Sequence, residues 1–180
     1  TVHGAPRPVS VVGVYDDVAA RVDATRIFSR VARQCASTCE FCSNWWSFDV
    51  LSDPRLRTSV AYATRTADMI WCSTQAGQPL PASVKLWIKE WSAGQRESAQ
   101  ALVALLRCPR GYAIEHSPAL SSLSQVARDN GMELFKRTLC CDEYHLDELS
   151  SELAHHHPWF LPRSHDLRHP TQPRWWGINE

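Results

Sequence analysis

The sequence predicts a three-layer α/β fold: a doubly wound, parallel sheet of five strands with helices on both faces. Three observations predict it. The segment Pro8-Val9-Ser10-Val11-Val12-Gly13-Val14-Tyr15-Asp16-Asp17 is an apolar strand that ends in two carboxylates and runs directly into an amphipathic helix. Strand-like and helix-like patterns then alternate along the chain, with connections too long for antiparallel hairpins, and right-handed crossovers turn such an alternation into a parallel sheet. Residues 101–106 read Ala-Leu-Val-Ala-Leu-Leu, the continuous apolar run of a central strand covered on both faces.

Each element has its own justification. After the first strand, Val18, Val22, Phe28 and Val31 recur at helical spacing, and Asp16 or Asp17 is placed to cap that helix. Residues 44–50 carry Trp45, Trp46, Phe48 and Val50 and read as a second strand, closed by Ser52-Asp53-Pro54. Asp53 as N-cap with Pro54 in the first turn starts a helix bearing Leu56, Val60 and Ala63. A third strand over 68–72 follows, then the turn-rich loop 73–79. Pro81 opens a helix with Val84, Trp87, Ile88 and Trp91 on one face. The fourth strand ends at Arg107, and Ser117-Pro118 starts a helix with Leu120, Leu123 and Val126. Asn130-Gly131 closes it as a left-handed C-cap, and 132–135 forms the fifth strand. The α/β domain is expected over 1–137. Residues 138–180 are expected to add an acidic helix with Leu146, Leu149 and Leu153 and then a Pro-, His- and Trp-rich extension.

Composition narrows the class of function. The chain has 180 residues and 44% hydrophobic content, enough apolar material for one core. Its 19 basic and 19 acidic residues cancel, so no broad field calls for nucleic acid or an anionic membrane. No apolar run approaches a membrane span and no signal-like segment opens the chain, which predicts a soluble protein. Seven cysteines, an odd number, fit reduced thiols and a cytoplasmic setting better than a fully paired secreted framework. The glycines form no GxGxxG and no Gly-Lys pair exists, so the common nucleotide-binding routes are unsupported. Tyr15-Asp16-Asp17-Val18 presents negative charge where a flavin phosphate would need donors.

A strand ending in an acidic pair, followed by a helix and further strand-helix steps, resembles the receiver domain of bacterial two-component response regulators. The likeness spans residues 8–137 as topology, with its motif content at Asp16 and Asp17. It implies a flavodoxin-like strand order 2-1-3-4-5 and an acidic pair that binds Mg²⁺. In that family the third strand ends in the phosphoacceptor aspartate, the fourth in Ser or Thr and the fifth in Lys. Here the third strand offers Cys72-Ser73, the fourth Leu106-Arg107, and Lys136 matches the Lys by position. A thiol or hydroxyl cannot form the acyl phosphate, so the resemblance implies a non-catalytic signalling or binding module. The chain is also similar to small bacterial proteins that share the strand-Tyr-Asp-Asp opening and a second strand of the form Trp46-x-Phe48-Asp49.

The candidate site follows from where ligands gather in parallel sheets, at the carboxyl ends of the strands. Asp16, Asp17, Cys72, Ser73 and Thr74 are expected to form a crevice for a ligand or a divalent metal such as Mg²⁺. The plainer reading of the acidic pair is a helix N-cap with a solvated neighbour. Cys35-x-x-x-Cys39-x-x-Cys42 resembles the spacing of radical S-adenosylmethionine enzymes, and three such thiolates can hold a [4Fe–4S] cluster or, with a fourth ligand, zinc. A small enzyme using Asp16 or Asp17 beside Cys72 is the other alternative. Trp159, Trp175 and Trp176 are expected to contact a protein partner, a second copy or the domain itself. The vicinal pair Cys140-Cys141 and the histidines His155, His156, His157, His165 and His169 are further metal or redox candidates.

Overall fold

A computed structural model describes residues 8–37, 39–94 and 100–140 of the chain. The expected acidic helix, His155, His156, His157, His165, His169, Cys141, Trp159, Trp175 and Trp176 lie outside the described residues. Five strands, β1 (Val9–Tyr15), β2 (Phe41–Ser47), β3 (Met69–Gln75), β4 (Ala101–Cys108) and β5 (Glu133–Cys140), form one sheet in the order β2-β1-β3-β4-β5. Every neighbouring pair is parallel. This is the expected flavodoxin-like order, with the change of direction beside β1.

Four helices, α1 (Val18–Gln34), α2 (Pro54–Arg65), α3 (Ala82–Ser92) and α4 (Pro118–Asp129), connect the strands. Alternate residues of a strand point to opposite faces, and the core divides accordingly. Met69 and Trp71 of β3, with Val11, Val103, Leu105 and Phe135, join Ile27, Phe28 and Val31 of α1 on one face. Ile70 and Cys72, with Val12, Val14, Leu102 and Leu106, meet α2, α3 and α4 on the other through Val60, Trp87, Trp91 and Leu123. Local chemistry marks the helix ends as the sequence reading requires. Asp53 accepts from the amides of Arg55 and Leu56, Ser117 Oγ accepts from Leu120, and Gly131 takes φ of +61° after α4.

The edge strand β2 is held by an aromatic cluster. Phe28 meets Phe41, Trp45 and Trp71 edge-on at centroid distances of 5.8, 5.8 and 5.6 Å. Trp45 stands beside Gly13 in register, and its ring lies so close that a Cβ at Gly13 would fall 2.1 Å from Cε3. Glycine here is a matter of space: the missing side chain lets an indole lie flat on the sheet.

The structure corrects several element readings. The buried face of α1 is Ala20, Ala24, Ile27, Phe28 and Val31, while Val18 and Val22 are 77% and 55% exposed. Leu56 of α2 is likewise exposed, and Val60, Ala61 and Thr64 face the core. β3 runs on to Gln75, past Cys72-Ser73, and β4 runs past Arg107 to Cys108. β5 continues to Cys140, beyond the expected boundary after residue 137. Lys136 therefore sits in mid-strand opposite Ala104 and not at a strand end, so it does not match the receiver Lys.

Candidate functional site

The carboxyl ends of β1, β3 and β4 converge around the turn that leads into α1. Asp16 is tied to the sheet by its amide, which donates to the Ser73 carbonyl at 3.0 Å. Asp17 is the N-cap of α1, with its carboxylate accepting from the Ala20 amide at 2.7 Å. Arg107 reaches the same carboxylate from β4, across β3, with Nη1 at 3.1 and 3.3 Å from its two oxygens. The same guanidinium places Nε 3.4 Å from Asp23, which Arg26 also holds at 3.1 Å. Two carboxylates and two guanidinium groups thus form one network over the start of α1, and it offsets charge that the turn would otherwise present alone.

The other members of the expected crevice behave differently. Thr74 Oγ1 donates to Asp16 at 3.4 Å, and Ser73 Oγ is turned inward to the Ala20 carbonyl at 3.1 Å. Cys72 and Ser73 are fully buried and Thr74 nearly so. Burial, and then the negative charge of Asp16, push the Cys72 thiol up to about 12, so at neutral pH it is a protonated core residue and not a nucleophile. The five residues do come together at the ends of β1 and β3, but of the five only Asp16 and Asp17 reach solvent. Asp17 is engaged by a cap and a guanidinium, so Asp16 is the carboxylate of the pair open to a cation such as Mg²⁺, which takes one or two carboxylates and fills its octahedron with water.

Arg107 is the participant that the sequence reading passed over, taking it for the mark of a strand end. One signal was available: a cation closing an apolar strand on the edge where two carboxylates stand.

The cysteine triad spans the end of α1, the following turn and β2, with three different degrees of burial. Cys35 caps the end of α1 with its thiol in the core, pushed up to about 11 by burial and then by Cys39. Cys39 is half-buried and its amide donates to the Cys35 carbonyl at 2.9 Å, whereas Cys42 is exposed on β2. Among the described residues, no group of three or more His, Cys, Asp or Glu side chains is placed to hold a metal ion.

A separate groove of about 540 Å³ lies between α2 and α3, lined by Ala61, Tyr62, Arg65, Leu86 and Lys89. It shares no lining residue with the carboxyl edge. Arg57, 2.8 Å from Glu90, and Arg65, whose Nη2 donates to the Glu90 carbonyl at 2.7 Å, pin the two helices together there.

No protein-family model matches the chain, and no curated protein matches it. Among solved structures it is similar to the Trp repressor binding protein from Bacillus subtilis. The identity is 11% and the TM-score 0.49, over 78% of this chain and 95% of that one. The fold assignment rests on the strand order itself, and the receiver resemblance holds at the level of that topology. No helix among the described residues is long and apolar enough to cross a membrane.

Proposed function

We propose that this chain is a non-catalytic, receiver-like binding module that acts through protein–protein contacts. The observation that supports this reading is the ion pair between Arg107 and Asp17, which uses the exposed acid of the β1–α1 turn for structure. A metal-dependent phosphoryl site needs free carboxylate oxygens and an acceptor carboxylate on the neighbouring strand. This edge has Asp16, a guanidinium and a sealed thiol instead. Val18 and Val22 stand exposed on α1 beside the network, and apolar side chains one helical turn apart suit a contact with another protein. The reading assigns no resident cofactor and a cytoplasmic setting, with Trp159, Trp175 and Trp176 as additional partner contacts.

Three measurements test it. Beryllofluoride with Mg²⁺, added to isotope-labelled protein, leaves the amide resonances of Asp16, Asp17 and Thr74 in place. A protein retained at stoichiometric level by the wild-type chain from its native extract is lost with the Val18→Asp, Val22→Asp double variant. Mg²⁺-dependent shifts centred on Asp16 would restore true receiver chemistry. Iron or zinc at one equivalent in anaerobically purified protein, lost on replacing Cys35, Cys39 and Cys42, would instead establish the metal-centre alternative.

A further inference from the structure

Cys108 and Cys140 are the last residues of β4 and β5, and they stand opposite one another in the parallel register. Their Sγ atoms are 3.6 Å apart. The Cys108 thiol is buried, whereas Cys140 is half-buried. Neighbouring strands lie about 4.8 Å apart, within the roughly 4.4–6.8 Å Cα separation that a disulfide spans. Closing the sulfurs to a bond of about 2.05 Å needs movement at the end of one edge strand, with the rest of the sheet left in place.

We propose that Cys108 and Cys140 are a redox modification site that a peroxide closes to a reversible disulfide. The more accessible Cys140 thiolate attacks a peroxide oxygen; the S–O bond forms, the O–O bond breaks, and water leaves after protonation. The Cys108 sulfur, giving up its proton to solvent, then attacks the Cys140 sulfenic acid. The S–S bond forms, the S–O bond breaks, and a second water departs. Two thiols lose two electrons in total, and one hydrogen peroxide becomes two waters. The product staples the last residue of edge strand β5 to its neighbour, at the point where the chain passes to residues 141–180. The 3.6 Å approach, and not exposure, singles out this pair, since Cys42 is exposed too; two of the other thiols are disfavoured by burial. Cys72 is sealed between sheet and helices and Cys35 lies under α1, both raised well above the ordinary thiol range.

The test treats the full chain with hydrogen peroxide near stoichiometry, blocks the remaining thiols by alkylation, and maps unreduced peptides. The expected product is a Cys108–Cys140 cross-linked peptide, lighter by two hydrogen atoms than its reduced parts and released by dithiothreitol. Cys35 and Cys72 are alkylated only after unfolding. The Cys141→Ser variant keeps the cross-link. Cys108→Ser abolishes it and leaves a Cys140 sulfenic acid that dimedone traps; should that variant not fold, Cys140→Ser must leave Cys108 alkylatable and unlinked. A Cys140–Cys141 bond, a link from Cys140 to Cys35, Cys39 or Cys42, a bond between two chains, or wild-type protein that stays fully reduced would each overturn the proposal.

Discussion

At Gly13 the absence of one carbon decides how the edge of the sheet is built. The ring of Trp45 occupies the space where a Cβ would stand, 2.1 Å from it, and Phe28 and Trp71 hold that ring from the side. Gly13→Ala is therefore expected to destabilise the fold by about 1–3 kcal/mol in urea unfolding, the range for overpacking a tight core site. Adding Trp45→Leu should recover part of that loss, since the clash partner is then removed, and the two changes should couple in a double-mutant cycle. Buried thiols give a second prediction. Cys72 is raised from 9.0 to about 12 and Cys35 from 9.0 to about 11 in the folded chain. The unfolded chain gives up these protons first, so the contribution to stability is complete below pH 9 and is lost as pH rises through the folded values. Within that window Cys72 contributes a slope of about 1.4 kcal/mol per pH unit. Comparing urea midpoints of wild type and Cys72→Ala between pH 8 and 10.5 checks it: the variant should lose less stability.

For the helices, the informative contrast lies between two aspartates in the same local role. Asp53 caps α2 alone, and Asp53→Ala should cost about 1 kcal/mol. Asp17 caps α1 and also pairs with Arg107, so its two contributions can be separated. Asp17→Asn keeps the capping oxygen and loses the charge, with an expected cost of a few tenths of a kcal/mol that shrinks in high salt, because the pair is half open to water. Asp17→Ala loses both and should cost about 1–2 kcal/mol by urea unfolding. The caps were legible in the sequence because each is decided within one turn of chain. The buried face of α1 was legible in its second half, at Phe28 and Val31, and not in its first. Counting large apolar side chains pointed to Val18 and Val22, yet the helix presses Ala20 and Ala24 on the sheet, since small residues allow close approach and large ones there would hold it off. Strand ends were legible only to within a few residues, because pairing with a neighbour, and not composition, determines how far β3 and β5 extend.

At the scale of the whole molecule, the parallel sheet brings to one edge the residues that sequence singled out and then distributes them between solvent and core. Asp16 and Asp17 stay at the surface, while Cys72 and Ser73 pass under α1 and the opposite helices. On the proposed reading, folding needs no divalent ion at the carboxyl edge. Its thermal midpoint should be the same in millimolar EDTA and in millimolar Mg²⁺, whereas a resident ion would raise the midpoint with concentration.

The order of amino acids was sufficient to determine the parallel five-stranded layer, its strand order and the placement of its helix caps. The layer and the caps follow from periodicity and short-range hydrogen bonding, which any stretch of chain carries within itself, and the strand order follows from right-handed crossovers together with the receiver resemblance. Only the tertiary structure decided that Arg107 would bind an aspartate 90 residues earlier in the chain, that the Cys72 sulfur would lie sealed, and that Cys108 would meet Cys140. Each of these depends on which strands become neighbours and on their register, and a shift of one residue would turn the same side chains to the opposite face.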